Sequence, residues 1–168
     1  MKGKWYRTDE KENAIDYLEA AATFKANNRA HKWKWLSIAL HGALYGSAVL
    51  CIQGTDPNRV RKGGKVISLW KALERCQSDA YMLQNVGSQR LTISDSEKSS
   101  INKLSDSFRN NFEHFTPGLW SIEVSGFPGI VSDVCRIIRF LVLESGNVRL
   151  TSSQLKRIRA ALSKLGGQ

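Results

Sequence analysis

The sequence predicts an all-α protein, an up-and-down bundle of five to six helices with little or no sheet. Three observations carry that expectation. Apolar residues recur at three- and four-residue steps along most of the chain, the period of a helix with one buried face. Helix-opening signatures stand at Asp9, Ser94 and Thr151, with Glu12, Glu97 and Gln154 three positions on as capping-box partners. The stretch from Trp35 to Ile52 holds no Asp, Glu, Lys or Arg and is apolar nearly all round, which marks a central, buried helix. A chain of 168 residues is long enough to bury one core without disulfides or metals. Residues 1–168 are therefore read as a single domain, with a core over about 9–145 and a basic C-terminal helix over 151–166.

Each element follows from its local pattern. The first helix opens at Asp9 and runs through Ala14, Leu18, Ala21, Ala22 and Phe24 towards Asn28, with a charged outer face. After the turn at Asn27–Ala30, the second helix spans about His31 to Gln53. Its Gly42 and Gly46, one turn apart, let a neighbouring helix come close. The same window is long enough to be weighed as a membrane span. Ser37, His41, Tyr45, Ser47 and the two glycines make insertion costly, and no membrane association is expected. Gly54 to Lys65 combines proline, paired glycine and basic residues and reads as an exposed loop. Its Arg59, Arg61, Lys62 and Lys65 either grip phosphates or belong to a solvated insertion.

A third helix is expected from Ser68 to Asn85, with Leu69, Leu73, Cys76 and Ala80 on one face, and Val86-Gly87-Ser88 ends it. The fourth starts at Ser94 and places Ile101, Leu104, Phe108, Phe112 and Phe115 on one stripe, until Thr116-Pro117-Gly118 stops it. Trp120, Ile122 and Val124 alternate with polar residues, as a short extended segment crossing a helical core would. A fifth helix, Ile130 to Glu144, turns Val131, Val134, Cys135, Ile138, Leu141 and Val142 inward and sets Arg136 and Arg139 on its outer side, as a solvated face or a substrate contact. The last helix, from Thr151 to Gly166, has the apolar seam Leu155, Ile158, Leu162 and Leu165. It is suited to docking on the domain, on a partner or on RNA, and the sequence does not choose. The predicted core is Trp33, Leu36, Leu40, Leu44, Leu104, Phe108, Phe112, Val134 and Ile138.

Lys and Arg number 25 against 15 Asp and Glu, a net charge of +10 and a pI near 9.8, which favours a polyanionic partner. The N-terminus reaches charges before any apolar run, so no signal peptide is expected and a cytoplasmic location is. Cys51, Cys76 and Cys135 are widely spaced and read as buried thiols. Glycine-rich phosphate loops, His-Glu-x-x-His and a nucleophile elbow are missing, so neither metal nor cofactor is expected.

The stretch from Arg109 to Phe115 carries the chemistry. At about 100° per residue, Arg109, Glu113, Asn110 and His114 fan across an arc of about 140° opposite the apolar stripe. An arginine, an amide and an imidazole then share one polar surface. An arginine followed at once by a polar residue, with a histidine five positions after the arginine, resembles the R-x4-H motif of the HEPN superfamily. These are small helical domains, many of them ribonuclease toxins. The apolar helix from Trp33 to Leu44 and the segment from Phe115 to Gly126 are similar to stand-alone bacterial HEPN-like proteins, so the resemblance spans roughly residues 10 to 145. Thr116 stands where a subgroup paired with nucleotidyltransferase antitoxins carries a modified tyrosine, which puts that form of regulation in doubt here.

RNA supplies its own nucleophile in the 2′-hydroxyl. Cleavage then needs a proton acceptor, a proton donor for the leaving 5′ oxygen, and positive charge against the phosphorane. A histidine titrating near neutrality serves either proton role, and an arginine fork suits the equatorial oxygens. His114 and Arg109 provide one of each, and Asn110 orients. The resemblance implies a metal-independent RNA endonuclease of toxin–antitoxin or phage-defence type. It further implies a two-fold homodimer with a composite cleft, and a cognate antitoxin or other defence component as partner. The alternatives are a non-catalytic RNA- or nucleotide-binding HEPN module and an unrelated helical protein-interaction domain, in which Arg109 pairs along the helix with Glu113. His41 has two readings, an auxiliary catalytic group or, better supported by the sequence, a histidine hydrogen-bonded within the helical core.

Overall fold

The structure, a computed structural model, describes residues 3–114 and 117–166. With 65% of its residues helical, the chain is all-α as the sequence predicts. The expectations placed on Phe115 and Thr116 lie outside the described residues. The elements are α1 (Glu10–Ala26), α2 (Lys32–Gln53), a 3-10 turn (Pro57–Val60), a hairpin of β1 (Arg61–Lys62) and β2 (Lys65–Val66), α3 (Leu69–Cys76), α4 (Asp79–Met82), α5 (Asp95–Asn102), a π-helical stretch (Lys103–Arg109), α6 (Asn110–Glu113), α7 (Phe127–Arg139), a π turn (Phe140–Glu144) and α8 (Ser152–Lys164).

α1 and α2 pair antiparallel because two small residues let them. A Cβ on Gly46 would lie 2.8 Å from Ala14 Cβ, and one on Gly42 would lie 2.5 Å from the Tyr17 ring. Further along, Phe24 stacks on Trp35 at 6.2 Å. α2 is thereby walled in, with Leu36, Leu40, Ala43, Leu44, Ala48 and Ile52 buried. It is long and apolar enough to cross a membrane by composition, yet 61% of that window is buried inside the protein, as in a core helix.

α5 and its π extension run antiparallel to α7, and three contacts set the register. Arg136 binds Glu97, Ser100 Oγ donates to Asp133 Oδ2 at 2.6 Å, and the rings of Phe108 and Phe127 meet edge-on at 4.6 Å. Trp33 then packs on Phe127 at 5.3 Å, which ties the start of α2 to the far end of the motif helix. α8 departs from a strict up-and-down course. It runs parallel to α1, with Gln154 Nε2 and Arg157 Nη1 donating to the Glu12 carboxylate near one end and Lys25 Nζ donating to Leu165 O at the other. Of the docking sites left open for this helix, the structure uses the domain itself.

The capping boxes at Ser94 and Thr151 form in both directions. The one expected at Asp9 forms only half, since Asp9 accepts from Glu12 N while the Glu12 side chain turns to Gln154 and Arg157. Four further expectations need correction. The helix expected over Ser68 to Asn85 is two, α3 and α4, because Ser78 takes an extended conformation and the chain returns to give Leu91 N–H to Cys76 O. The loop Gly54–Lys65 is shaped rather than open. Gly63 and Gly64 both have positive φ, which a two-residue hairpin turn demands. The fifth helix starts three residues earlier, at Phe127, with Pro128 in its first turn. Ile122 and Val124 pack on the core, in keeping with the segment expected to cross it. Of the predicted core, Trp33 and Phe112 are only partly buried, whereas the other members are buried.

Candidate active site

The helix carrying the motif is not one uninterrupted α-helix. α5 gives way at Lys103 to seven residues of π-helix, in which the Asn110 N–H reaches back five positions to Ser105 O. Wider turns of this kind displace every following side chain from its α-helical direction, and they occur often at functional sites. The even polar arc expected from α geometry therefore splits. Arg109 and Asn110 are half-buried, while Glu113 and His114 are exposed.

His114 has left the helix. It is the C-cap residue, with φ −94° and ψ 122°, and its N–H still donates to Asn110 O at 2.9 Å. Its side chain stands at the helix end rather than on the helix face. Arg109 is held by its neighbours. Nη1 donates to Asn110 Oδ1 at 2.9 Å, and Nη2 meets the Glu113 carboxylate at 2.5 Å. Its Nε is buried and has no hydrogen-bond partner among the described residues, and the same holds for Ser105 Oγ one turn earlier. Orphaned buried donors are unusual, and Arg75 Nε on α3 is another, away from the motif.

His41 lies on α2, which packs against the π stretch. It is half-buried and makes no hydrogen bond among the described residues, so the expected hydrogen-bonded core histidine is not what forms. Burial, and then the positive charge of Arg109, pull its pKa below the usual histidine value, against the opposing influence of Glu113 and Asp106. Arg109, Asn110 and Glu113 are thus linked at one helix end, with His114 directly after Glu113, and the charges of Arg109, Glu113 and Asp106 all act on His41. Ser105 and Asp106 were not singled out by sequence reasoning. Their position about one turn before Arg109 was the available signal.

The other predicted contacts are not gathered there. Arg59 is committed to the fold. Its Nε donates to Ile52 O at 2.8 Å and its Nη2 to Ala80 O and Tyr81 O at 3.2 and 2.6 Å, with the guanidinium over the Tyr81 ring. Arg61, Lys62 and Lys65 are exposed on the hairpin. Ile52 is eleven residues from His41, about 16 Å along α2, so the hairpin lies well away from the motif. Arg136 holds Glu97 and Thr92 O at the start of α5, the opposite end of the motif helix. Arg139 is half-buried, and its charge acts on the Cys135 thiol. Nearer the motif are Lys32 and Lys34, each over the tryptophan that follows it, at 4.8 and 4.9 Å. A cleft of about 580 Å³ opens at the C-terminal end of α2, lined by Gln53, Arg59, Gln84, Asn147 and Arg149, and holds none of the motif residues.

No protein-family model, curated protein or solved structure matches this chain.

Proposed function

We propose that this chain is a metal-independent RNA endonuclease of the HEPN type, acting as a toxin of a toxin–antitoxin pair or as a phage-defence effector. The observation that carries the reading is the placement of Arg109 and His114 at one accessible helix end, with the guanidinium already oriented by Asn110. An arginine held in a fixed geometry loses little freedom on binding a phosphate, and its fork matches two phosphate oxygens. In the reaction the 2′ oxygen gives up its proton as it attacks phosphorus, and the bond to the 5′ oxygen breaks as that oxygen takes up a proton. Arg109 stabilises the charge gathering on the equatorial oxygens, and His114 carries one of the two proton transfers, with the second histidine of the two-fold dimer for the other. RNA is the substrate that supplies the attacking hydroxyl. The resemblance adds a homodimer, in which two such helix ends share a cleft, and an antitoxin or other defence component as partner.

A second reading is favoured by one observation. Glu113 occupies the Nη2 edge of Arg109, as expected of an intrahelical i,i+4 pair on an interaction domain without catalytic use. In the ribonuclease reading, an incoming phosphate replaces that carboxylate. Glu113→Gln should then tighten RNA binding, whereas an interaction domain would be indifferent. The direct test is incubation of the purified protein with single-stranded RNA in EDTA. Products ending in a 2′,3′-cyclic phosphate and a 5′-hydroxyl are expected. Products with a 5′-phosphate, or cleavage that requires added metal, would contradict the ribonuclease reading.

A further inference from the structure

We propose that the start of α2 is the surface that holds the substrate strand, with the exposed Trp35 ring as a stacking platform for an unpaired base and Arg29, Lys32 and Lys34 as contacts to the flanking phosphates. The assignment rests on RNA being the substrate, as in the ribonuclease reading, and adds to it the place where a single strand is recognised.

The charge at this end of the bundle is unopposed. Between Glu19 and Asp56 the chain has no acidic residue, and Lys25, Arg29, Lys32 and Lys34 all fall in that interval. Lys25 donates to Leu165 O, but the side chains of Arg29, Lys32 and Lys34 make no ion pair and no hydrogen bond among the described residues. Arg59, Arg136 and Arg157, by contrast, are all held by internal partners. A lysine in the first turn works against its own helix, whose N-terminal end is already the positive pole. Neither an acidic side chain nor an N-cap side-chain hydrogen bond offsets that cost in α2. A phosphate supplied from outside the chain does.

The aromatic groups at the same place select the kind of anion. Trp35 is 47% exposed, while its ring lies stacked on Phe24 at 6.2 Å with 26° between the planes. That contact holds the indole in one orientation, so little freedom is lost when a base covers what remains open. Lys34 Nζ stands 4.9 Å from the same ring. A lysine over an exposed indole is a weaker partner than a nucleobase, and its ammonium swings to the neighbouring phosphate as the base stacks. Trp33 links this surface to the motif. Its ring meets Phe127 edge-on at 5.3 Å, Phe127 meets Phe108 at 4.6 Å, and Arg109 follows Phe108 in the chain. A duplex keeps its bases stacked on one another and offers no free face, so the surface takes single strands. A membrane surface also attracts basic, aromatic segments, but α2 turns Leu36, Leu40 and Leu44 into the core and has no apolar face left to insert.

The test measures binding apart from cleavage. The full chain is titrated with a short, unstructured 2′-O-methyl RNA of mixed sequence, whose blocked 2′ oxygen cannot attack, and the complex is followed by anisotropy and by tryptophan fluorescence. Trp35→Ala should weaken binding by about ten- to a hundred-fold, the loss of one stacked base. Trp35→Phe, which keeps a flat ring on Phe24, should retain most of the affinity and lose most of the fluorescence quenching. Lys32→Gln with Lys34→Gln should reduce the slope of log affinity against log salt by about 0.7 for each phosphate no longer neutralised, with helicity unchanged. A duplex of the same sequence should bind more weakly than the single strand. Affinity within two-fold of wild type in Trp35→Ala, equal binding of duplex and single strand, or a preference for vesicles of anionic phospholipid over the oligonucleotide would each overturn the proposal. Trp35-dependent binding by a protein that cuts no unmodified RNA would support the platform and remove the ribonuclease reading. Cleavage that proceeds with binding indifferent to Trp35, Lys32 and Lys34 would keep that reading and remove the platform.

Discussion

Glu97 holds a carboxylate where two effects oppose each other. Burial alone would raise its pKa, but hydrogen bonds from Arg136 and from the Ser94 backbone and hydroxyl outweigh it and bring the value below the usual carboxylate range. Because the folded-state pKa is depressed, this group's contribution to stability is present above pH about 4.5 and is lost as pH falls through the folded value. Glu97→Gln should therefore flatten the acid side of a stability–pH curve measured by urea titration, and should cost about 1–2 kcal/mol at neutral pH. The low end is expected because Arg136 is 46% exposed and partly solvated, which weakens the pair. Cys135 is the opposite case, a thiol pushed by burial to about 12. A thiol reagent at pH 8 should modify it only at the rate of global unfolding, and faster labelling would mean that α7 opens locally. At the motif, Asn110→Ala should reduce cleavage less than loss of His114, since Asn110 orients Arg109 and exchanges no proton.

Among the elements, the α1–α2 pair depends on two glycines that differ in what they face. Gly46→Ala would drive a methyl group against Ala14, whose Cα lies 3.3 Å from the new Cβ and cannot rotate away. Gly42→Ala meets only the Tyr17 ring, which can swing outward. Calorimetry should show Gly46→Ala destabilising by about 1–3 kcal/mol and Gly42→Ala by less. The close approach itself was legible from the one-turn spacing of the glycines. The starts of α5 and α8 were legible too, because a capping box is a local device written in four consecutive residues. The π stretch was not. Ile101, Leu104 and Phe108 satisfy an α pattern equally well, and the wider turn is settled by how Phe108 packs on Phe127 and by the Glu97–Arg136 and Ser100–Asp133 contacts. That one difference redirects Arg109 and Asn110, which are half-buried, so the motif was readable as a spacing and its surroundings were not. Arg59 makes the same point. Its basic loop was visible, but its hydrogen bonds to Ile52 O and Tyr81 O depend on a chain reversal that leaves no local signature.

For the molecule as a whole, a net charge of +10 implies RNA binding that weakens with salt, and the fold divides the cations into those that are committed to internal partners and those that stand exposed. Arg157 is held by Glu12 and Glu19, joining α8 to α1 across 138 positions of sequence, a pairing that no local pattern encodes. Arg61, Lys62 and Lys65 remain exposed on the hairpin. Replacing these three by Ala, with Arg59 left in place to preserve the fold, should reduce the slope of log affinity against log salt by about 0.7 for each phosphate that the hairpin no longer neutralises. An unchanged slope would transfer phosphate binding to the Lys32–Lys34 end of α2 or to α8. Light scattering at micromolar concentration should give a dimer if the resemblance to HEPN proteins extends to assembly, and a monomer that still cleaves would contradict the composite two-fold cleft. Whether Arg109 and His114 carry metal-independent cleavage is tested most directly by single-turnover rates on single-stranded RNA in EDTA for the wild type, Arg109→Ala and His114→Ala. Each variant should lose about a hundred- to ten-thousand-fold while keeping wild-type helicity and assembly. Rates within a few fold of wild type in either variant would contradict that assignment.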